Sequence, residues 1–142
     1  MKMRNVLMLE NDVDDRYITD TYFINNGFDV KVDYYPSVAG SITSYLSNLD
    51  SNSLPHLILM SGRFGLEHLA DLKKHDQFRQ IPVVILTEMS HTFSINEAYR
   101  LGANSVIEKP STHQMTRDKI DSFVKYWFGT VELPVTLVAD QI

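Results

Sequence analysis

Three apolar runs in this chain do not alternate: Val6-Leu7-Met8-Leu9, Leu57-Ile58-Leu59-Met60 and the stretch from Ile81 to Leu86. A strand with one wet face alternates apolar and polar residues, because successive side chains point to opposite faces. These runs put apolar side chains on both faces, so each strand needs cover on both sides. Phe28–Val32 and Ser105–Ile107 add two further strand candidates. Segments with helical spacing lie between them. Five strand–helix units in strict alternation, joined by short loops, imply a parallel sheet with right-handed crossovers and helices on both faces. The expected fold is a single doubly wound α/β domain.

Local signals place the helices. Asp12 can cap the first, Asp14 and Asp15 complement its positive end, and Val13, Tyr17, Thr21 and Ile24 follow at helical spacing before Asn26-Gly27 closes it. Ser37 is expected to cap a second helix that reaches about Leu49, with Asp50 to Ser53 as loop. Gly65 to His75 reads as a third helix, with Leu66, Leu69 and Leu72 on one face. Ser94-x-x-Glu97 and Ser111-x-x-Gln114 have capping-box spacing, and are expected to open a fourth helix ending at Gly102 and a fifth reaching Phe128. Ile120, Phe123, Val124, Trp127 and Phe128 form the apolar face of the fifth. Residues 1–129 form the expected domain and 130–142 an apolar tail, packed on the domain or on a second copy.

The chain's 142 residues suit one core. A formal net charge of -5 and the absence of any Lys/Arg cluster argue against nucleic acid as a partner. There are no cysteines, which excludes disulfides, thiolate zinc sites and thiol nucleophiles. The opening apolar run of four residues is too short for a signal-peptide core, and no stretch is long enough to span a membrane. A cytoplasmic protein without membrane contact is expected.

In open parallel sheets, ligands sit beyond the carboxyl ends of the strands. That rule selects Glu10-Asn11-Asp12, Ser61-Gly62, Thr87-Glu88 and Glu108-Lys109-Pro110. Carboxylates, hydroxyls and one lysine form a set suited to a hard cation held through oxygen, with the lysine facing an anion. The five histidines show no ligand spacing.

The segments LMLENDVDD, PHLILM, PVVILT and AYRLGANSVIEKP, with the closing helix, resemble the receiver domains of two-component response regulators over nearly the whole chain. VKYWFGTVELP also resembles a subgroup of small receivers, some of which partner bacterial phytochromes. The resemblance implies a CheY-like, flavodoxin-like sandwich with strand order 2-1-3-4-5. It implies an aspartate at the end of strand three that takes a phosphoryl group from a histidine kinase, acids after strand one that help bind Mg²⁺, and a hydroxyl and a lysine that contact the phosphoryl oxygens. It also implies an aromatic switch on strand five, and partner or dimer contacts through helix four, strand five and helix five.

Carried onto this chain, the pattern is incomplete. Glu10 fits the first acidic position, and Thr87 and Lys109 fit the phosphoryl contacts. Asn11 stands where a second acid is usual, Val106 at the aromatic position, and Ser61 at the phosphoacceptor position. No Asp or Glu lies between Asp50 and Glu67, so a register error cannot restore the acceptor. Ser61 is expected to fill the space of a lost aspartate rather than to act as a nucleophile, since its phosphoester would lack an activated acyl leaving group. Mg²⁺ is expected to bind weakly at Glu10 or not at all, with no other cofactor, and Lys109 to pair with Glu10. Thr87 is then expected simply to hydrogen-bond nearby backbone. The protein is read as a stand-alone pseudo-receiver, not an enzyme, that works by contact with a sensor histidine kinase or another receiver, with a homodimer through helix four, strand five, helix five and the tail. Two alternatives remain open: a receiver switched at an unconventional residue, and an anion- or nucleotide-binding module using a Ser61–Gly65 loop in which Gly62, Arg63 and Gly65 cradle the ligand.

Overall fold

In the computed structural model, residues 3–24, 27–36, 40–87, 92–109 and 113–136 are described. Strands β1 (Arg4–Leu9), β2 (Val30–Tyr34), β3 (Leu57–Ser61), β4 (Val83–Thr87) and β5 (Ser105–Glu108) alternate with helices α1 (Val13–Ile24), α2 (Ile42–Ser47), α3 (Gly62–Lys74), α4 (Thr92–Arg100) and α5 (His113–Gly129). The strands pair in parallel in the order β2-β1-β3-β4-β5, as expected. Among the described residues no helix is long and apolar enough to cross a membrane.

The non-alternating runs explain the two cores. Leu7 and Leu9 of β1, Ile58 and Met60 of β3, and Val83 and Ile85 of β4 pack with Ile42, Leu46, Leu69, Leu72 and Ala98 from α2, α3 and α4. The intervening residues Val6, Met8, Leu57, Leu59 and Val84 face the other way, against Phe23 of α1 and Val124 of α5. Ile120, Phe123, Trp127 and Phe128 of α5 join this second cluster, so the expected α5 face is the observed one.

Several local expectations give way to tertiary packing. On α1, Val13 and Tyr17 point to solvent, while among its described side chains Thr19 and Phe23 are buried. Phe23 meets Phe123 edge-on across the α1–α5 seam, with ring centres 5.9 Å apart. Helix α2 begins later than expected. Its cap is Ser41, whose hydroxyl accepts the Ser44 amide at 3.4 Å, and Ser37 lies outside the described residues. Ser94 falls inside α4 and is not its cap, and Glu97 instead reaches forward to Arg100 at 2.7 Å. An i,i+3 charge pair competes directly with the backward reach that a capping box needs. Ser111 lies outside the described residues, and Gln114 donates forward to Asp118 at 3.1 Å. Within the tail, the Gln80 side chain donates to the Val135 carbonyl at 3.1 Å, and Thr136 is buried.

The largest correction concerns residues 61–65. Ser61 is the last residue of β3 and α3 starts at Gly62, so the expected Ser61–Gly65 loop does not exist. Gly62, Arg63 and Gly65 form the first turn of a helix. A β-carbon on Gly65 would lie 3.0 Å from Met60 Cβ and 3.2 Å from Ile85 Cδ1. Gly65 is therefore a close-approach residue that seats α3 on the sheet, not part of an anion cradle. A Gly65→Val substitution is expected to cost about 1–3 kcal/mol by overpacking, read as a lower urea midpoint with an unchanged m-value. An unchanged midpoint would mean that α3 has slack against β3 and β4.

Candidate functional site

The register of the sheet assembles the site. Leu9 pairs with Met60, so Glu10 and Ser61, one step further, stand side by side beyond the ends of β1 and β3. Thr87 pairs with Glu108, and the Lys109 amide donates to the Thr87 carbonyl at 2.6 Å, which sets Lys109 over the rim of β4. Asp12 caps α1 as expected, with Oδ1 accepting the Asp15 amide at 3.1 Å. Three residues into that capped turn, the Asp15 side chain leans back over the ends of the strands.

These side chains close on one ammonium. Lys109 Nζ donates to Glu10 Oε1 at 2.9 Å, to Asp15 Oδ2 at 3.0 Å and to Ser61 Oγ at 3.2 Å. An ammonium has three protons, so its donor capacity is fully used. Ser61 Oγ also lies 3.3 Å from Glu10 Oε1 and donates to it. The Asn11 amide donates to Glu10 Oε2 at 3.1 Å, and Arg16 Nε donates to the Glu10 carbonyl at 2.5 Å. The Arg16 guanidinium stacks 4.7 Å from the centre of the Tyr34 ring. The Tyr34 hydroxyl donates to Asp20 Oδ1 at 2.8 Å, and burial followed by that bond pushes its pKa up. One connected polar network therefore spans the ends of β1, β2, β3 and β5 and the first half of α1.

Glu10 is 5% exposed, Lys109 20% and Asp15 34%. Burial alone would lower the Lys109 pKa, and it is the largest single influence. The hydrogen bonds and charges of Glu10 and Asp15 together outweigh it, so the pKa is raised.

The expected residues are thus partly brought together. Glu10, Ser61 and Lys109 are in direct contact, with the predicted Glu10–Lys109 pair present. Thr87 lies at the same rim, linked through its backbone. Asn11 is exposed and joins through its amide nitrogen. Val106 is half-buried on β5, packed at the edge of the core cluster that α2, α3 and α4 share, and its amide donates to the Tyr99 hydroxyl at 3.2 Å. Glu88 and Pro110 lie outside the described residues. Asp15 was read only as a helix-end charge. Its reach to Lys109 depends on the rotation of α1, which the apolar pattern of that helix does not give.

The donor set suits an ammonium better than a hard dication. Among the described residues no three carboxylates or imidazoles converge at metal-ligand spacing. Both carboxylates are bound to Lys109. The Arg63 carbonyl belongs to the first turn of α3, where it is directed along the helix toward the amide four residues on.

The tether carries a pH signature. Because the Lys109 pKa is raised on folding, its stabilisation is complete below the ordinary value of 10.5 and is lost as pH rises through the folded value. Lys109→Met leaves Glu10 buried without its cation, and is expected to cost about 2–4 kcal/mol at pH 7. In urea melts at several pH values, the gap between wild type and variant should narrow above pH 10.5. A gap that is absent at neutral pH would show that the network does not hold the strand ends together.

Residues 6–121 match the family described as the response regulator receiver domain. Over 81 residues the chain is 31% identical to the probable methanogenesis regulatory protein FilR2 of Methanothrix harundinacea, a match covering 54% of this chain and 52% of that protein. Over 89 residues it is 27% identical to response regulator Rcp1 of Synechocystis, covering 60% of each. The chain thus spans little more than half the length of these relatives. The structure of the phosphorylated cyanobacterial phytochrome response regulator RcpA superposes with a TM-score of 0.83 over 94% of this chain and 99% of that one, at 22% identity, and so shares its fold. With the 2-1-3-4-5 parallel sheet and a family match over most of its length, the chain belongs to the response regulator receiver domains of two-component signalling.

Proposed function

We propose that this receiver takes no phosphoryl group at the end of β3 and signals through protein contact. One observation carries the reading: a serine ends β3, and the Lys109 ammonium is bonded to it and to both nearby carboxylates. Acyl-phosphate formation needs a carboxylate nucleophile and compensation of the transferred charge. Here the hydroxyl at the strand end offers no acyl chemistry, and the lysine's protons are already committed. Mg²⁺ would have to displace an internal cation from Glu10 and Asp15, so weak affinity or none is proposed.

Contact is proposed through the surface made by α4, β5 and α5, with a sensor histidine kinase, another receiver or a second copy of the chain. A groove of about 480 Å³ runs along β5. Val106, Tyr126 and Trp127 line it, and exposed Tyr99 sits beside it. Aromatic side chains around a groove give large contact area at low entropic cost, the composition favoured in interface centres.

Two measurements test these proposals. After incubation with Mg²⁺ and acetyl phosphate, the intact mass is expected to be unchanged. A gain of one phosphoryl group would overturn the first: an adduct stable to mild base places it on Ser61, and one lost in mild base places it on a carboxylate of the same rim. Sedimentation equilibrium is expected to give twice the chain mass for the wild type and the monomer mass for Tyr126→Asp. A monomeric wild type would reject self-association and leave contact with another protein as the only form of the second.

A further inference from the structure

Helix α5 stands away from the sheet near the carboxyl ends of β4 and β5. Leu86 and Ile107 on the sheet, and Ile120 and Phe123 on the helix, lie on inner faces yet are only half-buried. Between them and α1 is a cavity of about 370 Å³, within the size range of small-molecule sites. Its body is apolar, walled by Leu59, Leu86, Ile107, Phe23, Ile120 and Phe123. About a dozen waters would fill it, and an apolar lining gives them few partners. An apolar guest that displaces them gains from burial.

The mouth is charged and asymmetric. Glu10, Asp15, Glu108, Lys109 and Lys119 line it, a net charge of one negative. Lys109 has spent its three protons. Lys119 is exposed and directed to the Glu108 carbonyl at 2.7 Å. Asp15 uses one oxygen for Lys109 and is a third exposed, so its carboxylate retains capacity to accept from a donor. A cationic head on an apolar body matches both halves of the site. An anionic head meets the wrong net charge, and the lining cation with protons to spare, Lys119, is exposed at the rim.

We propose that the cavity between the sheet and helices α1 and α5 binds a small amphipathic amine, its apolar body among Leu86, Ile107, Ile120 and Phe123 and its ammonium at Asp15. Such a cation competes with Lys109 for Asp15. Occupancy therefore loosens one arm of the tether that closes the strand ends, giving the receiver a chemical input. That consequence rests on the contact-signalling reading above; the binding itself does not.

Three probes with one body and different heads test it: 4-phenylbutylamine, 4-phenylbutanol and 4-phenylbutanoate, titrated into the ¹⁵N-labelled full chain at pH 7. The amine is expected to bind saturably below millimolar concentration, with shifts centred on Asp15, Thr19, Lys109, Ile120 and Phe123, and about fivefold more tightly than the alcohol, the scale of one partly exposed ion pair. Ile120→Phe, which fills the space, is expected to abolish the shifts, with Ile18→Phe as the second filler should the first not fold. Absence of saturable binding, shifts outside the cavity, the alcohol or carboxylate binding as tightly as the amine, or undiminished binding in a folded filler variant would each overturn the proposal. Because no phosphoryl transfer is read, its failure is independent of the acetyl phosphate result.

Discussion

Everything at the working end of this sheet depends on where one ammonium sits. Lys109 Nζ is within 3.2 Å of a carboxylate from the end of β1, a carboxylate from the first turns of α1 and a hydroxyl from the end of β3. Glu10 is buried and Lys109 mostly so, and taking either charge out of water is costly unless the other stands beside it. Each supplies what the other's burial demands. The pair therefore makes up for its own desolvation only while the strand ends stay in register, which makes the geometry of the site a condition of folding.

The same economy appears one layer below. Helix α3 starts on the residue after β3, with no intervening loop. A chain that turns so abruptly brings the helix backbone down onto the strand it has just left, and a β-carbon at Gly65 would crowd Met60 and Ile85. A longer loop could direct carbonyls into the space over the strand ends. Here that backbone is spent on the helix ladder. The missing loop, the packed glycine and the internal cation are thus connected: what would be an open, ligand-ready rim is filled from within by side chains and by the helix itself.

The existence and order of the elements were legible because the runs at Val6–Leu9, Leu57–Met60 and Ile81–Leu86 allow only a doubly covered strand, and burial over whole strands outweighs any local signal. Where a reading rested on signals worth about 1 kcal/mol, it was less secure. Ser94 and Glu97 have capping-box spacing, but Glu97 found Arg100 instead. The α1 stripe of Val13 and Tyr17 had helical period, yet both point outward, while Phe23 packs against Phe123. The glycines after Ser61 spelled a loop by propensity, and packing on the sheet made them a helix. In the site, Glu10 with Lys109 could be paired from strand ends alone. Asp15 could not, because its role needs the turn angle of α1, which the apolar pattern misassigned.

On the proposed reading, a receiver that accepts phosphate must keep its acidic cluster open to an external dication and its lysine open to the incoming oxygens. In this chain two carboxylates and one ammonium already neutralise each other to a net single negative charge, and the third acidic position is a serine. Such a centre has little left to gain from phosphate, whose charge would have to displace Glu10 and Asp15 from Lys109. It does have something to gain from a second cation, since Asp15 is the less buried of the two carboxylates and the α1–α5 cavity opens beside it. An electrostatic switch needs a charge imbalance that a signal can correct. The residual imbalance here is negative, so the charge that corrects it is a cation.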